Sequence, residues 1–365
     1  MNAKHQAIFN RLKTEILSGK FSGSASKFPS ERALAHRFDV SRNTITLALQ
    51  ELRGRGFLVR QQGSGTFLTG RAKRLSGSVG LIIPGVSYSE VFPVICRELV
   101  QLVQKSGMTL LLGDITSKDS KKRARMAMKL AERFVSDNVS GVIFQPLEFL
   151  EDAEEINRQV LEVFDRAKIP VVLIDNDIVP SPQRSRYEVV SVNSFDIGRR
   201  MAAHLVEAGA KGVCFLVQPN SAKCIQDRVA GARSVLAEKG LPLLVVDVDV
   251  KNAASVGKLL RKRPRQNAIV CRNDHIAAYL LQTLRRLGKH VPEDVMVVGC
   301  NDADYAAALE PSLTTIRIPC KGIAATAFRL LVERIGNPAL LPRECYLDAP
   351  LVVRKSTASE RGSKA

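Results

Sequence analysis

The sequence contains no tryptophan and only five histidines, at positions 5, 36, 204, 275 and 290, none at metal-ligand spacing from another. A zinc-hydrolase pattern is thereby excluded, and neither a P-loop, a G-x-G-x-x-G fingerprint nor a G-x-S-x-G elbow occurs. No motif marks an enzyme, and no cofactor or metal is expected. The cysteines, at 96, 214, 224, 271, 300, 320 and 345, are odd in number and never spaced C-x-x-C. Several sit inside apolar runs such as GVCFLV and AIVC, which reads as buried, reduced thiols rather than a disulfide framework or a zinc site. No stretch approaches the roughly 18 uninterrupted apolar residues of a membrane helix. The opening MNAKHQAIFNRLKTEIL has no apolar run behind its basic residues. No signal peptide is therefore evident, a cytoplasmic location is expected, and Asn138-Val139-Ser140 is an unused sequon.

Acidic residues are scarce in one region. Residues 1–74 hold fourteen Lys/Arg against four Asp/Glu, a net of +10 out of +18 for the chain. The remainder holds forty against thirty-two, so most of the excess sits on a small part of the molecule. That density fits a polyanion partner, of which nucleic acid is the usual one. With 365 residues and 45% apolar content, two or three domains with real cores are expected.

In the basic region Ile8, Leu12, Ile16 and Leu17 recur at helical spacing, and Gly19 is expected to stop that helix. Ser30 is placed to cap a second helix with Leu34 facing inward. After the corner Asp39-Val40-Ser41, Ser41 caps a third helix. Its Ile45, Ala48, Leu49 and Leu52 share one side, while Arg42, Asn43, Thr46 and Gln50 share the other. Phe57-Leu58-Val59 and Thr66-Phe67-Leu68 read as strands around a turn at Gln62–Gly65. The result is a winged helix-turn-helix. A helix fits the major groove, its polar face bonds base edges, and glycines let the wing tip approach phosphate. The segments P-S-E-R-x-L-A, V-S-R-x-T, L-x-x-x-G-[FL] and G-x-G-T-F, across residues 5–68, resemble the GntR family of bacterial transcription regulators. The resemblance implies DNA contact by Arg32, by Ser41, Arg42, Asn43 and Thr44 at the start of the recognition helix, by Thr46 within it, and by Gln62 and Gly63 in the wing. Thr46 stands where many members carry a base-reading arginine, which implies a different operator. Residues 71–77 are basic, polar and aperiodic, and read as a linker whose charges can also touch phosphate.

From Val79 onward, β-rich runs (VGLII, TLLLGD, GVIFQP, VVLID, GVCFLV, LLVVDV, AIVC, MVVGC) alternate with amphipathic stretches such as the one carrying Ile95, Cys96, Leu99, Leu102 and Val103. Near-continuous apolar strands separated by helices mean parallel sheets covered on both faces, here in two lobes. Ligands of such sheets sit beyond the carboxyl ends of the strands, so the residues just after each run are the informative ones. There stand Tyr88, Glu90 and Phe92, then Asp175-Asn176, Asn193, Arg228, Asn273-Asp274 and Asn301-Asp302. Amides, acids, an arginine and aromatic surface suit a hydroxyl-rich small molecule, although Asp175, Asn273 and Asp302 could equally cap the helices that follow, and Asp302 reads nearer to a cap. Residues 78–355 resemble the effector domain of the LacI/GalR family, itself similar to periplasmic sugar-binding proteins. The likeness rests on Ile169–Asp175, Val192-Asn193 with Gly198, Asp227-Arg228 with Gly231, Ala268–Asp274, Val291–Asp302 and Pro311–Ile316. It implies effector contact by Arg228, Asn273 and Asn301, the last being asparagine where the family has aspartate. Tyr88, Glu90, Phe92, Asn176 and Asn193 complete the expected site. The order of parts resembles the bacterial arabinose-repressor subgroup.

The chain is thus expected to form a small, mainly α winged helix-turn-helix domain (1–70), a linker (71–77), a two-lobed α/β periplasmic-binding-protein-like domain with parallel sheets (78–355), and a flexible tail (356–365). The function expected is that of a homodimeric repressor of double-stranded operator DNA, with no membrane partner. A small effector, a carbohydrate by the site's chemistry, would control its grip by closing the lobes. A non-sugar effector or a sensor that no longer binds one is the alternative. A general architectural DNA protein would leave the α/β part without a purpose.

Overall fold

The computed structural model describes residues 3–17, 20–21, 27–69, 77–85, 89–117, 119–148, 150, 152–179, 183–218, 221–262 and 265–358. Three helices open it: α1 (Ala3–Leu17), α2 (Glu31–Phe38) and α3 (Arg42–Gly54). Gly19, expected to stop α1, lies outside the described residues. Both serine caps form, with Ser30 Oγ accepting from the Ala33 amide at 3.2 Å and Ser41 Oγ from the Thr44 amide at 3.3 Å. Between α2 and α3, Asp39 adopts φ 50°, a left-handed corner that a short polar side chain tolerates. Phe9, Leu12 and Ile16 of α1 meet Leu34 of α2 and Ile45, Leu49 and Leu52 of α3 in one buried core. Each such side chain contributes about 1.5–3 kcal/mol on burial. Strands β1 (Leu58–Gln61) and β2 (Gly65–Leu68) pair antiparallel, Leu58 opposite Leu68 and Gln61 opposite Gly65, and form the wing. Gly63 at its tip has φ 75°, a turn conformation open to glycine at no steric cost.

Two parallel sheets make up the rest. Strands β3 (Ser78–Ile83), β4 (Thr109–Asp114), β5 (Gly141–Phe144), β6 (Val171–Ile174), β7 (Glu188–Val192) and β13 (Glu344–Leu347) form the first, in the order β13-β7-β6-β5-β3-β4. Strands β8 (Val213–Leu216), β9 (Leu243–Val246), β10 (Ala268–Cys271) and β11 (Met296–Val298) form the second, in the order β11-β10-β8-β9. Helices α4 (Phe92–Lys105), α5 (Ser120–Ser136) and α6 (Ala153–Arg166) belong to the first lobe, and α7 (Ser194–Glu207), α8 (Lys223–Glu238), α9 (Ala253–Lys262) and α10 (Asp274–Arg286) to the second. α11 (Cys320–Gly336) returns to pack on α4 and the first sheet. Every residue of β5, β6, β8 and β10 is buried, as sheets covered on both faces require. Cys214 and Cys271 lie buried in those strands, in keeping with the apolar runs that hold them.

The chain passes between lobes at 192–194, 316–320 and 347–351, and β12 (Thr315–Ile316) pairs antiparallel with β14 (Leu351–Val352) beside two of these passages. Three short passages at one edge are the arrangement of a hinge. The expected tail boundary needs correction. Ser356 is fully buried: its amide reaches the Ser312 carbonyl at 2.9 Å, its Oγ donates to the Val297 carbonyl at 2.6 Å, and Thr357 Oγ meets Thr314 Oγ at 2.7 Å. Composition read 356–365 as a flexible tail, whereas the Ser356 hydroxyl satisfies the Val297 carbonyl and the Thr314 amide; residues 359–365 lie outside the described residues.

Candidate functional site

On the reader, Arg32, Arg42 and Asn43 are exposed, as are Gln62 and Gly63 at the wing tip. Glu31 organises this face: its Oε2 accepts from Arg42 Nε at 3.2 Å and from Thr46 Oγ at 3.3 Å. Thr46 is thereby half-buried toward α2, and Thr44 is half-buried beside Ser41, whose Oγ lies 2.9 Å from its own. Ser41 is exposed but its oxygen is engaged in capping. One residue was missed. Leu47 is 41% exposed and follows Asn43 by one turn on the outer side of α3, where an apolar side chain can meet a thymine methyl. The signal was an apolar residue off the core stripe of Ile45, Ala48, Leu49 and Leu52.

The carboxyl ends of the two sheets face each other across a cleft of about 470 Å³. Of the expected effector residues, Phe92, Arg228, Asn273 and Asn301 line it. Arg228 is buried; its Nη1 reaches the Arg272 carbonyl at 3.3 Å, while its Nε has no hydrogen-bond partner. Two glycines set its position, because a Cβ at Gly198 of α7 would collide with the Arg228 carbonyl and one at Gly231 of α8 with the Phe195 carbonyl. Asn273 lines the cleft and also caps α10, its Oδ1 accepting from the Ile276 amide at 3.0 Å.

The remaining expected residues stand elsewhere. Asn193 caps α7 through the Asp196 amide at 2.9 Å and borders a separate shallow depression with Tyr346 and Arg200, so capping rather than the cleft accounts for it. Asn176 stands behind the wall, its Nδ2 donating to Glu148 Oε1 at 2.8 Å and to Asp175 Oδ2 at 3.2 Å. Glu90 spans the lobes at the cleft's edge, accepting from Asn301 Nδ2 at 2.8 Å and from the Tyr305 hydroxyl. Tyr88 lies outside the described residues. Asp302 is neither cap nor cleft wall: its carboxylate is clamped by Arg317 and Arg354, each at 2.6 Å, which hold its pKa below the usual range against the effect of burial.

Beside Asp175, already marked by its place after a strand, the cleft floor holds residues that loop position alone did not single out. Gln145, Glu148, Asp175, Cys224 and Arg272 all line it. Gln145 Nε2 reaches Asp175 Oδ2 at 3.4 Å, and its buried Oε1 has no partner. Burial, and then the neighbouring Asp175, push Glu148 up to about 8. Burial also raises Asp175, with Arg228 opposing. Glu148, Asp175 and Cys224 bring donor atoms within 4.8 Å of one another. A metal ion fits them poorly, because the Arg228 charge acts on all three and burial holds the thiol in its protonated form. An unpaired donor at Arg228 and an unpaired acceptor at Gln145, beside the ring of Phe92, can take a neutral group that both accepts and donates, such as a hydroxyl.

Residues 4–68 match the gntR family of bacterial regulatory proteins, and residues 202–357 match the periplasmic binding protein-like domain. The arabinose metabolism transcriptional repressor of Geobacillus stearothermophilus is 27% identical over 379 residues, spanning 98% of this chain and 99% of the relative. The ribose operon repressor of Halalkalibacterium halodurans is 27% identical over 298 residues, spanning 80% and 82%. Among solved structures, a LacI family transcriptional regulator from Enterococcus faecalis with bound ribose superposes with a TM-score of 0.64 at 25% identity, covering 77% of this chain and 98% of that one. These relatives are transcription regulators rather than enzymes. The chain thus joins a region that matches the gntR-family model to one that matches the periplasmic binding protein-like domain, and along its whole length it is similar to a transcriptional repressor.

Proposed function

We propose that the protein is a cytoplasmic, homodimeric repressor whose hold on operator DNA is set by a sugar bound between its lobes. The observation that carries the sugar assignment is the pair of buried, unpartnered atoms in one cleft, Arg228 Nε and Gln145 Oε1. Leaving either unsatisfied costs about 1–3 kcal/mol, and a ligand hydroxyl relieves both kinds. Phe92 supplies a face for the apolar side of a sugar ring, Asn273 and Asn301 supply amides, and the Glu148–Asp175 pair accepts from further hydroxyls. The names of the arabinose and ribose repressors, and the ribose-bound LacI-family structure, support the same class.

On the DNA side, Arg32, Arg42 and Asn43 enter or flank the major groove with Leu47, and Gln62 and Gly63 follow the phosphates. Ser41 and Thr44 fix the first turn of α3 rather than reading bases, and Thr46 packs toward Glu31. Two copies read two half-sites, and dimerisation raises the effective concentration of the second reader. Isothermal titration of common pentoses and hexoses into the protein tests the sensor. One sugar is expected to bind at one per chain, and Arg228→Ala to abolish its binding. If none of the sugars binds, the cleft serves another effector class and the sugar assignment fails.

A further inference from the structure

The helix α5 carries Lys121, Lys122, Arg125, Lys129 and Arg133, all exposed, against a single acid, Glu132. Lys121, Arg125, Lys129 and Arg133 follow one another at intervals of four, so they form one stripe about 18 Å long on the helix's outer side. Arg133 pairs weakly with Asp137 at 3.5 Å, and among the described residues none of the other four makes an ion pair. Nearby acids are already taken. Asp119 caps the helix through the Lys122 amide, Glu154 and Glu155 hold Arg158, Glu162 holds Arg166, and Asp165 holds Arg186. A row of unneutralised cations repels a second copy of itself, so it is ill suited to a symmetric interface between protomers.

The stripe also starts where the reader is tethered. The Ser140 amide, just past the end of α5, donates to the Ser78 carbonyl at the start of β3 at 2.7 Å. The chain from Thr69 of the reader to Gly77 reaches at most about 28 Å. DNA held by the reader is therefore the polyanion kept within reach of the Arg133 end of α5. Resting on the DNA-binding reading above, we propose that α5 is a second, sequence-independent DNA contact that holds the duplex flanking the operator. Its fixed charges release counterions from the phosphates and add affinity without adding specificity.

The test uses the full chain and two duplex probes by fluorescence anisotropy. Both contain the operator footprinted upstream of its own coding sequence, one trimmed to the footprint and one carrying about 20 bp of flank on each side, two helical turns of duplex. The wild type is expected to bind the flanked probe more tightly at low salt. The variant with Lys121→Gln, Arg125→Gln, Lys129→Gln and Arg133→Gln is expected to lose that advantage. Its log affinity against log salt on the flanked probe should flatten by about 0.9 for each side chain engaged. Unchanged binding to the trimmed probe shows that the variant is folded. The proposal is overturned if the variant keeps the flank advantage, if it weakens both probes equally, or if the wild type gains nothing from flanks. Wild-type protein that leaves no footprint on that DNA overturns the DNA-binding reading as well.

Discussion

Arg42 is 76% exposed, yet Glu31 fixes where its guanidinium points. So exposed a pair adds at most about 1 kcal/mol to folding; its use is to aim a charge. Arg42→Ala is expected to weaken operator binding by about 1–3 kcal/mol while leaving sugar binding intact, measured by anisotropy and calorimetry. Undiminished operator affinity would remove α3 from the groove. Glu148 gives a second test at this scale. A carboxyl raised from 4.5 to about 8 binds its proton more tightly in the folded chain, so stability is highest at low pH and declines as pH rises across that interval. Glu148→Gln should flatten the pH dependence of Tm between those limits. An unaltered Tm–pH profile would mean that Glu148 is solvated. Neither Glu148 nor Gln145 stood out in the sequence, because a polar residue one or four positions past an apolar run does not reveal how deeply its loop is folded in.

Elements explain which parts could be read from residues alone. Ser30 and Ser41 announced α2 and α3 because capping is local chemistry, and the apolar stripe of α3 placed its core side. Continuous apolar runs likewise announced the buried strands. Asn193, Asn273 and Asp302 were harder, since an amide or acid ahead of a helix looks the same in sequence as cap, ligand or ion-pair partner. The structure separates them: Asn193 caps, Asn273 caps and lines the cleft, and Asp302 is clamped by arginines. Gly198 and Gly231 belonged to the family-like motifs without a stated reason. Their reason is the close crossing of α7 and α8, which also seats Arg228. Gly198→Ala is expected to cost about 1–3 kcal/mol of stability through overpacking and to weaken sugar binding by displacing Arg228. A variant with wild-type Tm and affinity would show that α8 does not depend on that crossing.

At the scale of the whole molecule, the asparagine at 301 finds its explanation in Glu90 of the opposite lobe. An aspartate there would oppose the Glu90 carboxylate, whereas the amide donates to it, and Tyr305 closes the same clasp. Asn301→Asp should therefore loosen lobe closure and weaken sugar binding by about 10-fold, roughly 1.4 kcal/mol; unchanged or tighter binding would show that the clasp is not part of closure. Lobes joined by three passages, with a reader tethered at the start of β3, allow closure to alter where the reader stands on DNA. A coupling of about 1–3 kcal/mol suffices for a 5- to 150-fold change in operator affinity. The most direct measurement of that coupling is anisotropy of the full chain on its operator, with and without the sugar found by titration, for wild type and Arg228→Ala. The account predicts a shift within that range for the wild type and none for the variant, with both binding DNA equally well in the absence of sugar. An operator affinity indifferent to the bound sugar, or a variant that responds as the wild type does, would contradict it.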